Sequence, residues 1–251
     1  MTTTFKFLGV SAFEIANGEG IKILVDPFIT GNPLCPVTLD EMTDIDMILV
    51  THGASDHMGD AITIAKRQET LLVCGKDVGI HASKNGVGKE KITPVLWGDH
   101  IEHLGVKIQT VECRHMSLLE SNGICLTGIP LSFIISPENG TRIYNVGDTS
   151  IFSDMKLIAE LYDPNILLIP VGGEPETTGG YAHLSPREAA LATQWVLPEL
   201  SIPVHYGLGS REPADYEDYT RLLAPTVKVH QMKPGETAIY DPETHKLTHI
   251  G

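Results

Sequence analysis

Short apolar and β-branched runs recur along the chain, bounded by Gly, Pro and Asp, and this pattern predicts strands. They cover Thr4 to Leu8, Ile21 to Val25, Met47 to Thr51, Leu71 to Cys74 and Val106 to Val111 in the first half. Leu131 to Ser136, Arg142 to Val146, Ile166 to Val171, Ile202 to His205 and Thr226 to Val229 follow. Helical spacing is rarer and predicts helices over Asp60 to Gln68, Phe152 to Leu161, Ser185 to Val196 and Pro213 to Leu223. The third has the clearest start, because Ser185, Pro186 and Glu188 supply an N-cap, an N1 proline and a capping-box acid.

The early strands read as a meander and the later ones alternate with helices, which predicts an α/β body of two sheets faced by helices on their outer sides. The two halves share an outline. In each, a strand ends at Asp26 or Asp148, a second strand ends at His52 or Gly172, and a helix follows. No Pro/Gly/Ser-rich linker divides residues 1–251, so one domain is expected.

Composition fits a packed core: of 251 residues, 42% are hydrophobic and 20% charged. The formal net charge of −14 opposes phosphate backbones and anionic lipid surfaces, and no basic patch offsets it. A small molecule is therefore the expected partner, with neither nucleic acid nor membrane. No apolar run approaches the roughly 20 residues of a bilayer span. The segment Met1 to Gly18 has Lys6 as its only cation and Glu14 within its apolar part, unlike a signal peptide, so a cytoplasmic location is expected. Cys35, Cys74, Cys113 and Cys125 form no CxxC pair and are expected to be reduced and mostly buried.

The densest chemistry lies in Thr51-His52-Gly53-Ala54-Ser55-Asp56-His57, between a strand and a helix. Imidazole nitrogen and carboxylate oxygen converging at a strand end suit Zn²⁺, Mn²⁺ or Fe²⁺. The bland alternative is a polar turn in which Asp56 caps the following helix. Three further strands, Gln109 to His115, Arg142 to Asp148 and Ile202 to His205, also run into ligand-type residues. Taken singly, His115 reads as a surface residue, Asp148 as a turn former and His205 as a core histidine. Four such strand ends together point to a metal centre.

The pattern His52-x-Ala54-x-Asp56-His57, His115, Asp148 and His205 resembles the metallo-β-lactamase superfamily, whose hallmark is His-x-His-x-Asp-His followed by a lone His, a lone Asp and a final His. The stretches Tyr144 to Thr149 and Ile202 to Gly207 are similar to a branch of metal-dependent hydrolases related to bacterial ascorbate-phosphate lactonase. The likeness runs from about Phe5 to Tyr240 and implies a four-layer αββα sandwich. It also implies a supporting role for Asp26 and a metal-bound hydroxide, formed from a water that Asp56 or Asp148 positions and whose proton that carboxylate takes up. An ester, lactone or phosphoester is the substrate class it implies. Oligomers are common among such proteins, so a homo-oligomer is expected by analogy.

In the pattern one ion takes His52, residue 54 and His115, a second takes Asp56, His57 and His205, and Asp148 bridges. Ala54 leaves the first set one ligand short. Three arrangements follow: a single ion in the second set, a substitute ligand for the first with His183 as the candidate, or an iron site of His52, His115 and Asp148 serving an oxygenase. A solvated loop histidine is the bland alternative for His183. Zinc is the expected metal, with manganese or iron as alternatives, at one or two ions per chain; a non-catalytic metal-binding protein is the remaining alternative. Loops expected to select substrate are Phe28 to Asp40, Met116 to Gly123 with Glu120, Gly172 to His183 with Glu174 and Glu176, and Ser210 to Glu212. Arg114 and Arg211 are candidates to hold an anionic substrate; a salt-bridged surface role is the bland alternative for either.

Overall fold

A computed structural model describes residues 1–173, 183–206 and 214–249. Glu174, Glu176, Ser210, Arg211, Glu212 and Pro213 lie outside the described residues.

Strands β1 (Thr3–Gly9), β2 (Ala12–Ala16), β3 (Lys22–Val25), β4 (Met47–Val50), β5 (Leu71–Cys74), β6 (Ile92–Pro94), β16 (Thr237–Asp241) and β17 (Lys246–His249) form one sheet, in the order β17-β16-β1-β2-β3-β4-β5-β6. The other holds β7 (His100–His103), β8 (Val106–Glu112), β11 (Leu131–Ser136), β12 (Ile143–Asn145), β13 (Ile166–Pro170), β14 (Leu200–Val204) and β15 (Lys228–Val229), in the order β15-β14-β13-β12-β11-β8-β7. A hairpin of β9 (Ser117–Ser121) and β10 (Ile124–Gly128) stands apart. The shared outline of the halves is visible here. β1-β2-β3 is an antiparallel meander continued by parallel β4 and β5, and β8-β11-β12 is antiparallel and continued by parallel β13 and β14.

Alternation along the strands divides the apolar residues among three cores. Met47 and Leu49 of β4 and Ile166 and Leu168 of β13 point between the sheets, with Phe5, Phe13 and Phe133. Ile48 and Val50 face outward, onto Ala61, Ile64 and Ala65 of α2 (Ala61–Arg67) and Val78 and Ala82 of α3 (Lys76–Lys84). Leu167 and Ile169 face outward on the other side, onto Met155 and Ile158 of α4 (Met155–Tyr162), Ala189 and Val196 of α5 (Pro186–Val196) and Tyr219 of α6 (Ala214–Leu222). The architecture is thus helix, sheet, sheet, helix. Strands covered on both faces bury every residue, as β4, β13 and β14 do; β4 and β13 read as unbroken apolar runs, and β14 admits Ser201, whose hydroxyl pairs with that of Tyr219.

The α5 cap forms as its sequence predicts: the Glu188 amide donates to Ser185 Oγ at 3.4 Å and the Ser185 amide to Glu188 Oε2 at 3.0 Å. Several elements depart from expectation. β2, α3 and β17 are not predicted, since Glu14 interrupts the short apolar run of β2, Gly79 lies within α3, and β17 is mostly exposed; β16 is not predicted either, although its Ala238 and Tyr240 alternate into the core. The segment Met116 to Gly123 is largely strand β9 rather than a loop, because it pairs along its length with β10. The cysteines are all free, but only Cys74 and Cys113 are buried; Cys125 is exposed on the hairpin. Among the described residues no helix is long and apolar enough to cross a membrane.

Candidate metal centre

In sheets of this kind the parallel strands direct their C-terminal ends to one side, and loops leaving those ends can meet over the sheet edge. β4 delivers His52, β12 delivers Asp148 and β14 delivers His205. The two sheets are tied at this edge: the His205 amide donates to the Val10 carbonyl at 2.8 Å, and the Leu131 amide to the Thr51 carbonyl at 2.9 Å. Asp26 and His205 both take left-handed backbone angles, with φ of 44° and 54°. For residues with a Cβ this costs roughly 1–2 kcal/mol each. Strain of this kind persists where surrounding packing enforces it, as at functional sites.

Five imidazoles form a row. His115 meets His52 edge-on with ring centres 5.0 Å apart, His52 meets His57 at 4.2 Å, His57 stacks on His205 at 5.3 Å, and His205 meets His183 at 4.2 Å. Asp148 sits under the row. Its Oδ2 lies 3.3 Å from His57 Nε2, 3.3 Å from His205 Nε2 and 3.7 Å from His183 Nδ1. Asp56 Oδ2 lies 3.4 Å from His205 Nε2 and 4.0 Å from His57 Nε2. Asp56 is within α1 (Ser55–Met58), whose N-cap is Ala54, so it is not the cap of that helix.

Asp26 and Thr51 orient the imidazoles from behind. Asp26 Oδ1 accepts from the Thr51 amide and Oδ2 from the Thr51 hydroxyl, both at 2.8 Å, and Oδ2 also contacts His57 Nδ1 at 2.8 Å. Because the Thr51 proton goes to Asp26, Thr51 Oγ1 is left to accept from His52 Nδ1 at 3.0 Å. Each Nδ1 proton is thereby held from behind and each Nε2 is turned inward, the arrangement in which a buried partner orients a ligating imidazole. Thr51 was not singled out from sequence; its only signal is its place between a strand end and His52. Neither were Ser117, whose hydroxyl accepts from the Gly53 amide at 2.9 Å, nor Asp77, which accepts from that hydroxyl and so anchors the loop from α3.

Burial disfavours charge on every group here, and neighbours decide the outcome. Burial, and then His57, hold His52 well below the imidazole range, and burial lowers His115. Burial with His205 brings His183 down to about 3. At His57 burial is outweighed by Asp148 and Asp26, and at His205 by Asp148 and Asp56, so both are raised. Burial would raise Asp56 and Asp148, but the imidazoles around them hold both carboxyls below the usual range. At neutral pH the cluster offers ionised carboxylates and, on His52, His115 and His183, neutral imidazoles.

The Nε2 atoms of His52, His57, His183 and His205 and Asp148 Oδ1 are buried without hydrogen-bond geometry to any partner among the described residues. An unsatisfied buried polar atom costs roughly 1–3 kcal/mol. A divalent cation satisfies several at once, and this nitrogen and oxygen donor set suits one. Ligand atoms fall within 4.8 Å of one another in three groups here: His52, His57 and Asp148; Asp56, His57 and His205; and Asp148, His183 and His205. His115 lies at the end of the row outside these groups. His183 is at the opposite end, beside His205, and not next to His52 and His115 where a direct substitute for residue 54 was expected. Arg114 is bonded through Nε to Glu112 Oε1 at 2.8 Å and lies over the Phe152 ring, the salt-bridged surface role rather than an inward-facing anion site.

The sequence pattern of the beta-lactamase superfamily domain matches residues 22–206. A UPF0173 metal-dependent hydrolase of Methanobrevibacter smithii is 36% identical over 246 residues, covering 96% of this chain and 98% of the relative. The chain belongs to the UPF0173 metal-dependent hydrolase family of that superfamily. Another UPF0173 metal-dependent hydrolase, from Methanopyrus kandleri, is 37% identical over 92% of this chain and 97% of its own length. Among solved structures, Igni18, described as a metallo hydrolase from Ignicoccus hospitalis, superposes with a TM-score of 0.80 at 29% identity, over 96% of this chain and 99% of that one. The αββα sandwich expected from the resemblance is the architecture that the three cores build and on which Igni18 superposes.

The support given by Asp26 to His57 and Thr51 has a measurable size. Asp26→Ala is expected to weaken zinc binding roughly 10–100-fold, as loss of such outer partners does. Competition titration with a chromophoric chelator checks this, and an unchanged affinity removes Asp26 from the supporting role.

Proposed function

We propose that this chain is a metal-dependent hydrolase of small esters, lactones or phosphoesters. The observation that carries this reading is that the buried Nε2 atoms of His57 and His205, without a hydrogen-bond partner among the described residues, converge on Asp148 beside Asp56. His52, Asp56, His57, His115, Asp148 and His205 hold the metal, zinc first and manganese or iron as alternatives. When bound, a divalent ion supplies Lewis acidity and lowers the pKa of a coordinated water from 15.7 towards about 7.

The chain's own residues do the rest. Asp56 and Asp148, ionised and facing the imidazole row, position the attacking water and accept its proton. Asp26 and Thr51 orient the imidazoles of His57 and His52 so that each Nε2 is turned inward. Asp56 is the more exposed of the two carboxylates, with a side chain 35% exposed against 7% for Asp148, so substrate approaches from the Asp56 side. A net charge of −14 supports a small-molecule substrate over a nucleic acid.

The test is elemental analysis of protein purified without added metal, followed by assays on nitrophenyl esters, lactones and phosphodiesters before and after chelation. Hydrolysis of one class that chelation abolishes and zinc or manganese restores is expected. Iron with oxygen consumption instead would replace this reading by the oxygenase, and bound metal without turnover by a non-catalytic one.

A further inference from the structure

His183 is the feature the hydrolase reading leaves unused. It is 5% exposed and its Nε2 has no hydrogen-bond partner among the described residues. Its place is built into the fold. Gly172 and Gly173 end the run from β13, and a Cβ on Gly173 would lie 1.9 Å from the His183 carbonyl oxygen, while one on Gly172 would lie 2.4 Å from that of His205. Only glycines there let both histidine backbones close on the strand end. The Gly173 amide donates to the Leu184 carbonyl at 3.0 Å, Leu184 is buried in the outer core, and Ser185 caps α5. His183 is thus held from both sides.

A neutral imidazole has one lone pair and serves one ion. Two ions therefore need groups that share no histidine. Of the three ligand groups, Asp56-His57-His205 shares His57 with the first and His205 with the third. His52-His57-Asp148 and Asp148-His183-His205 share only Asp148, a carboxylate with an oxygen for each ion. Of these three groups they are the one pair that can be filled together.

Resting on the metal-dependent reading above, we propose that the centre takes two divalent ions: one on His52, His57 and Asp148, the other on His183, His205 and Asp148 with Asp56 beside it. His183 makes up for the imidazole absent at Ala54, but indirectly: it takes a place at the His205 end and releases His57 to the His52 end.

Zinc per chain, measured after loading and gel filtration, tests this in the native protein, His183→Ala, His183→Gln and His183→Ala/Ala54→His. The expected counts are two, one, one and two. Cobalt loading gives an independent readout, since loss of a nitrogen ligand changes the visible absorption of the second equivalent only. One ion in the native protein, or two retained in both single variants, overturns the arrangement. No metal in the native protein sinks the hydrolase reading itself, and with it this inference. The glutamine variant keeps the site's polarity and volume, so a misfolded alanine variant does not blunt the test.

Discussion

Asp148→Asn is expected to cut turnover by roughly 10²–10⁴-fold at saturating metal, the range for loss of an acid–base group. It is also expected to lower affinity for the metal by more than Asp26→Ala does. Asparagine keeps the shape but removes the charge on which His57, His183 and His205 converge. With Asp148 5% exposed, the figure for breaking a buried pair applies to chelator-stripped protein, a loss of about 3–5 kcal/mol. The pH dependence has a definite sign. A carboxyl held below its ordinary 3.8 contributes stability that is present above that value and lost as pH falls through the lowered one. Seen from His57, raised above 6.5, the same interaction is present below 6.5 and lost as pH rises through the raised value. The stability gap between native and variant apoprotein is therefore widest between those limits and narrows on either side. Denaturant melts across pH check this. A variant with native turnover and full metal content would remove Asp148 from the centre.

The second large effect is metal removal. An ion that binds only the folded chain stabilises it by about 4 kcal/mol at a free concentration one thousand times Kd. For a chain of this size each kcal/mol moves Tm by roughly 2–4 °C, so chelation is expected to lower Tm by roughly 8–16 °C. Added zinc should restore it in native protein. In Asp26→Ala the recovery should need more metal, because His57 and His52 lose the partners that orient them. Calorimetric scans with and without chelator read both quantities; a Tm indifferent to chelation in metal-containing protein means the ion does not bind at this structural edge.

Sequence alone determined the layered α/β architecture, because strands covered on both faces are near-continuous apolar runs, and β4 and β13 are. It determined the start of α5, since a cap is a local arrangement of Ser185, Pro186 and Glu188. It also marked His52, Asp56, His57, His115, Asp148 and His205, because ligand-type residues directly after strand ends are visible in one dimension. Edge strand β17 was hidden, as a strand paired at a sheet margin needs little apolar surface of its own.

What only the tertiary structure decided is which of these residues share a lone-pair neighbourhood. Thr51 has no sequence mark beyond adjacency, and its role arises from Asp26, brought near by the parallel pairing of β3 and β4. His183 was legible as a candidate ligand, but not the end of the row it joins. That depends on two glycines at the end of β13 and on the cap of α5, which meet only when the second sheet is assembled. Distances between residues far apart in the chain are set by packing, and ligand sets are statements about such distances.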